Sequence, residues 1–195
     1  SRPVQLAAAA EQVIVTARRR EEAAQDVPIA LSVVSVDQLD LTGTYNVSTF
    51  SQLAPSLQFS SSNGRNTGMT IRGFGTSFGL ANDGLEAGVG IYVDEIYQGR
   101  PAAATFDFLD VSQAEILRGP QGTLFGKNTT AGAINIGIKK PTFDTEFETQ
   151  VTAGDYGFFQ GRATISGPLV GNVLAGRLSV TGTLRDGLME NVTTG

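Results

Sequence analysis

Between Glu146 and Leu184 hydrophobic and polar residues alternate with a period of two. Phe147, Val151 and Ala153 share one parity against Glu146, Glu148, Gln150 and Thr152, and Phe159, Gly161, Ala163 and Ile165 oppose Gln160, Arg162, Thr164 and Ser166. The last run sets Leu174, Gly176, Leu178, Val180, Gly182 and Leu184 against Ala175, Arg177, Ser179, Thr181 and Thr183. Successive side chains of a strand point to opposite faces, so the pattern predicts three antiparallel strands joined at "GDYG" and "GPLVGN". Each run is about the 9 to 11 residues that a tilted strand needs to cross a bilayer. A soluble sheet with one wet face carries the same alternation, and on this stretch alone both readings stand.

Upstream the elements are shorter. In "EQVIVTA" the β-branched run Val13, Ile14 and Val15 is too short to bury itself, so it is either a sheet edge or an extended peptide awaiting a partner sheet. From Pro28, "IALSVVSV" predicts a strand, "DQLDLTG" a helical turn opened by Asp37 and closed by Gly43, and "NVSTFSQLAPS" a helix capped by Asn46 and stopped before Pro55. "SLQFSSS", "GMTIRGFG", "GVGIYVDEIY", "DVSQAEILRG" and "AGAINIGIKKP" each predict one strand. The expected architecture is an α+β domain, a small mixed sheet with short helices, over residues 28–140. Residues 1–27 are expected to be a flexible N-terminus, and 141–195 to hold three strands, too few to close a barrel, so the chain reads as truncated.

Composition narrows the chemistry. Among 195 residues there is no His and no Cys, which removes His- or Cys-based triads, the usual zinc sites and disulfides. A formal charge of -5 argues against nucleic acid as a partner. No apolar run is long enough for a transmembrane helix. The opening "SRPVQLAAAAE" reads as a disordered mature terminus or a residual export segment. "GPQGTLFGKNTTAG" is not a phosphate-binding loop, because Gln121 stands where the first glycine is required and Asn128 where the magnesium hydroxyl is required. Its glycines Gly119, Gly122, Gly126 and Gly132, with Pro120, predict a sharp turn instead, with Lys127 as surface charge. "RRREE" reads as a solvated charge run.

The ordered set "EQVIVTA", "IRG", "YVDE" and "EILRGPQGTLFGKNTTAGAINI", followed by strands of membrane length, resembles the N-terminal part of a TonB-dependent outer-membrane receptor. The resemblance runs from about Glu11 to about Leu184. It implies a plug domain seated in a barrel of about twenty-two strands, in the bacterial outer membrane with the plug facing the periplasm. It further implies energy-coupled uptake of a scarce solute, a ferric siderophore first, or cobalamin, haem or a glycan. The implied partners are TonB with its inner-membrane energising complex, outer-membrane lipid and the solute. No catalytic residue, metal or cofactor is implied, and no enzymatic activity. Glu11, Gln12, Val13, Ile14, Val15, Thr16 and Ala17 correspond to the TonB box, with Arg18 to Gln25 as a flexible tether. Arg72, Gly73, Asp94, Glu95, Glu115, Arg118, Gly119, Pro120, Gly122 and Gly126 fall in plug motifs, and their charged members are expected to pair with the barrel wall. Asn63, Arg65, Asn66, Asn82 and Asp83 lie on loop tips that could touch the solute. Three departures stand out: Ser112 and Gln113 replace an acidic-basic pair, Glu95 replaces a glycine, and Gly137-Ile138 replaces a Thr-Lys step. The alternative from the residues themselves is a secreted or periplasmic α+β binding module without transport.

Overall fold

The structure, a computed structural model, describes residues 13–42, 46–62, 67–76, 87–105 and 107–187. In chain order the strands are β1 Ile14–Val15, β2 Glu22–Ala23, β3 Leu31–Ser35, β4 Leu57–Ser61, β5 Thr67–Ile71, β6 Phe74–Thr76, β7 Val89–Val93, β8 Ile96–Tyr97, β9 Val111–Arg118, β10 Gly132–Ile138, β11 Glu146–Ala153, β12 Phe159–Val170 and β13 Leu174–Leu184. Three short helices, α1 Val36–Thr42, α2 Val47–Leu53 and α3 Gly122–Phe125, interrupt them. The expected α+β domain is present, followed by an antiparallel sheet.

A five-stranded mixed sheet in the order β3-β9-β10-β7-β8 forms the centre, with β10 parallel to β7 and antiparallel to β9. One face carries Ala114, Ile116, Ile134, Ile136 and Ile91, which join Leu39 and Phe50 of the first two helices and Leu57, Met69 and Ile71 of the β4-β5-β6 sheet in the main core. The opposite face carries Leu117, Ala133 and Tyr92, packed against Val15, Ala17, Val27 and Phe125. Both faces of β9 and β10 are therefore covered, which is why "AINI" reads as a continuous apolar run broken only by Asn135.

Two predicted strands are hairpins. Ile71 pairs with Phe74 around Arg72-Gly73, and Val93 pairs with Ile96 around Asp94-Glu95. All four turn residues have positive φ, 55° and 80° in the first and 48° and 67° in the second. That is the requirement of a type I′ turn, the two-residue connection whose twist matches the flanking strands. Asp94-Glu95 escapes a sequence reading because neither residue is glycine.

The start of α1 also differs from expectation. Ser35 is the cap: its Oγ accepts from Gln38 N–H, while Gln38 Oε1 accepts from Ser35 N–H, a reciprocal capping box. Asp37 sits inside the first turn, and Gly43 lies outside the described residues. Asn46 does cap α2, accepting from Thr49 N–H at 3.1 Å.

The last three strands form the sheet β11-β12-β13 with the predicted parity. Phe147, Ile165 and Leu178 lie in register across it, as do Glu146, Ser166 and Arg177 on the other face. The apolar face is turned outward: Phe147 is 71% and Leu178 64% exposed. The polar face is turned inward, burying Gln160 and Ser166.

Candidate functional site

The N-terminal segment is held on the central sheet by a polar clasp. Register places Glu115 opposite Asn135 and Asn135 opposite Tyr92, and Val33 opposite Glu115, so these side chains share the face that the segment covers. Glu115 is 1% exposed. Its Oε1 accepts from Thr16 N–H at 2.6 Å, Thr16 Oγ1 at 3.2 Å and Gln113 Nε2 at 2.8 Å, and its Oε2 accepts from Asn135 Nδ2 at 3.3 Å. Gln113 Nε2 also donates to Ile14 O at 3.0 Å, and Asn135 Nδ2 to Thr16 Oγ1 at 3.1 Å. A buried carboxylate is tolerated only with such a set of donors, and here they come from the segment and the sheet together. Beside the clasp, Val15 and Ala17 are fully buried, whereas Val13 and Ile14 are exposed.

Residues 13–27, expected as a flexible leader and tether, pack against the domain. β1 pairs with β2, and Ala24 N–H donates to Val13 O at 2.9 Å. The charge run is internally paired: Arg18 and Arg20 both reach Glu22 at 2.6 Å, and their hydrogen bonds hold its carboxyl below the usual carboxylate range. Arg19 lies over the Phe125 ring at 5.7 Å. Phe125 therefore anchors the segment from the loop that follows β9. Burial raises the Tyr92 phenol, which donates to Phe125 O at 2.6 Å.

A second cluster joins the domain to the last sheet. Asp110 receives both Nε and Nη2 of Arg177 in a bidentate pair, the second bond at 2.8 Å, and Ser179 Oγ at 2.8 Å. The two side chains are only 9% and 6% exposed. Glu146 and Glu148 approach the same guanidinium at 3.3 Å and 3.8 Å, and Lys139 reaches Glu148 at 3.3 Å. Burial alone would raise the Asp110 carboxyl, but hydrogen bonds from Arg177 and Ser179, with the Arg177 charge, outweigh it and hold the group below its ordinary value.

The sequence-derived positions fall unevenly on this frame. Glu115 is a mid-strand member of the clasp and bonds to the N-terminal segment, where pairing with the wall was expected. Arg118 donates to the carbonyls of Ala30 and Leu31 within the domain. Arg72, Gly73, Asp94 and Glu95 form the two exposed turns. Asp110 and Lys139, which the motifs did not mark, both contact the last sheet. In the glycine-rich loop 119–132 Gly119 and Gly126 have φ of 89° and 83°, and Pro120 lies between Gly119 and the loop's one-turn helix. Gly122 starts α3, so part of the expected sharp turn is a single helical turn. Glu11, Gln12, Asn63, Arg65, Asn66, Asn82 and Asp83 lie outside the described residues. No helix among the described residues is long and apolar enough to cross a membrane.

Comparison with known proteins follows the same outline. The family model of the TonB-dependent receptor plug domain matches residues 23–133. The pesticin receptor of Yersinia pestis is 28% identical over 185 residues, covering 94% of this chain and 27% of that protein. The ferrichrome outer membrane transporter/phage receptor of Escherichia coli is 29% identical over 150 residues, 74% of this chain and 19% of that protein. Among solved structures, the ferric yersiniabactin uptake receptor FyuA from Yersinia pestis superposes with a TM-score of 0.74 at 28% identity, over 86% of this chain and 26% of that one. The alcaligin receptor FauA from Bordetella pertussis superposes at 0.70 with 21% identity, over 89% and 29%, and supports the fold alone. The chain thus spans about a quarter or less of the length of these curated relatives.

Proposed function

Because the chain belongs to the TonB-dependent receptor plug-domain family, we propose that it is the TonB box, plug and first barrel strands of an energy-coupled outer-membrane transporter. The proposed divisions are residues 1–27 for the box and its connection, 28–140 for the plug and 141–195 for the barrel strands. Ferric siderophore is the proposed solute class, because the relatives include a ferric yersiniabactin uptake receptor and a ferrichrome transporter. Solute contact is assigned, on the sequence alone, to Asn63, Arg65, Asn66, Asn82 and Asp83.

The observation that carries this reading is the inverted sheet. A soluble module would turn Phe147, Ile165, Leu178 and Val180 toward a core and Arg177 toward water. Here those four apolar side chains are exposed, and Arg177 is buried against Asp110 of the plug. An outward apolar band around a polar interior is the design of a membrane barrel, whose lumen a plug fills. The buried charge cluster at Asp110 then ties plug to wall. Glu11 to Ala17 supply the docking strand. A short extended segment gains backbone hydrogen bonds when it adds to an exposed sheet edge, with little demand on side-chain identity.

Titration calorimetry of the chain in detergent micelles against the periplasmic C-terminal domain of TonB tests the docking. Binding that Val13→Pro abolishes is expected, since proline removes a ladder donor. A folded chain that gives no heat of binding, or a proline variant that binds equally well, would remove the box assignment.

A further inference from the structure

The two ends of the last sheet differ in chemistry. At one end the turn between β11 and β12 exposes Asp155 and Tyr156, and Asp186 N–H donates to Tyr156 O at 2.9 Å, which brings the exposed Arg185 and Asp186 to the same end. At the other end the hairpin joining β12 and β13 holds no charged residue from Gly167 to Gly176, and Asn172 has its only polar side chain. Leu169, Val170, Val173 and Leu174 are each more than half exposed there, Val173 at 86%. Turns that stand in water are built from Gly, Pro, Asn, Asp and Ser, and consecutive exposed apolar residues are avoided unless they serve a function. The register shows how these side chains are gathered. Pro168 pairs with Ala175 and Val170 with Leu174, so Leu169 is an extra residue, a β-bulge. Strict alternation would turn Val170 to the polar face; the bulge returns it to the face of Leu174. Leu169 stays on that face as well, since a Cβ on Gly176 would lie 2.7 Å from Leu169 Cδ1. Val173 N–H donates to Val170 O at 3.0 Å and closes the turn.

Height decides what covers this tip. The 11 residues Leu174–Leu184 stand about 25 Å tall, at about 3.3 Å per residue and a strand tilt of about 40°. The outward apolar band of a membrane barrel is also about 25 Å tall. With the charged turn in water at one boundary, the other boundary falls at Leu174, and Leu169, Val170 and Val173 reach or pass it. We infer that the hairpin end Leu169–Leu174 is a lipid-binding tip, seated where the acyl chains of the leaflet on that side meet their headgroups. The inference rests on the reading of this sheet as barrel wall. The occupant is lipid because the tip continues that wall: Leu169 covers Gly176, the step between the tip and the row of Phe147, Ile165 and Leu178. No charged group on the hairpin orients a specific protein partner. The bulge is then a device of depth, carrying the apolar face one residue further than alternation allows.

The test places the full 195-residue chain in phospholipid nanodiscs, whose two sides are both open to water, with single cysteines from Val173→Cys, Leu178→Cys and Asp155→Cys. All three positions are exposed, so the substitutions disturb no core. A charged, membrane-impermeant maleimide should label the cysteine at 173 several-fold more slowly than the one at 155, and the difference should vanish in denaturant. With a small fluorophore on each cysteine, lipid brominated close to the headgroup should quench position 173 several-fold more than position 155. Position 178, on the wall itself, should be quenched by lipid brominated deeper in the chain. Quenching and labelling at 173 that match those at 155, with 178 still quenched, would overturn the inference and leave the wall reading standing. A position 178 that no brominated lipid quenches would overturn the wall reading, and the inference with it.

Discussion

Replacing Asp110 with Asn should loosen the last sheet from the plug. The substitution keeps the shape, and Asn tolerates the left-handed backbone that Asp110 adopts, with φ of 57°. What it removes is charge. Arg177 loses a bidentate carboxylate, and one of its two N–H groups then faces an amide NH2. A buried ion pair broken on one side typically loses about 3–5 kcal/mol. Glu146 remains at 3.3 Å and, being 44% exposed, compensates only in part. The net loss should be about 2–4 kcal/mol. Removing the other partner as well, in Asp110→Asn with Arg177→Met, should recover part of it, because no charge is then stranded; the coupling in the double-mutant cycle should be about 1–3 kcal/mol. Native-state hydrogen exchange of the β13 amides in micelles reads the local opening free energy directly. A loss below about 0.5 kcal/mol, or additivity of the two substitutions, would refute the assignment of this pair as the tie between plug and wall.

The pH dependence of the same contact has a fixed sign. Since the folded Asp110 carboxyl is held below its ordinary value, its contribution is complete above the unfolded pKa of about 3.9 and is lost as pH falls through the lower folded value. Exchange at β13 should therefore stay flat from neutral pH down to about 5 and accelerate, after correction for intrinsic rates, only below about 4. Glu95→Gly should stabilise the chain by about 0.5–1 kcal/mol, because the φ of 67° at this exposed turn residue strains any L side chain; thermal unfolding should shift upward. Gly132→Ala should cost about 2–4 kcal/mol, since a Cβ there would lie 2.3 Å from Leu117 O and 2.7 Å from Ile71 Cδ1, and a variant as stable as the parent would show that the β9-β10 junction can move.

The last sheet was legible because one of its faces is apolar and the other polar, so period-two alternation from Phe147 to Leu184 gave all three strands and their parity. What the alternation left open was which face points inward. That is decided by Asp110, 67 residues from Arg177 in sequence, and no local pattern links them. Both hairpins stayed hidden: the turn at Asp94-Glu95 lacks glycine, and the single glycine of Arg72-Gly73 lies inside a run that reads as one strand. Glu115 illustrates the deepest gap. In "AEILRG" it reads as one charge near a strand end, and only the register that sets it beside Asn135 and beneath Thr16 shows a buried carboxylate binding the N-terminal segment. The contacts of Thr16 to Ala24 with the domain escape the sequence for the same reason: their anchors, Glu115, Tyr92 and Phe125, are distant in the chain.

On the proposed reading this sheet turns its apolar side to lipid and its polar side to the plug. The chain has no native cysteine, so single cysteines can be placed at Ile165, Leu178 and Val180 on one parity and at Thr164, Thr181 and Thr183 on the other. Each would carry a small fluorophore, with the chain reconstituted in brominated lipid. Strong quenching is expected at the first three and weak quenching at the second three. Equal quenching on both parities, or stronger quenching at the threonines, would contradict it.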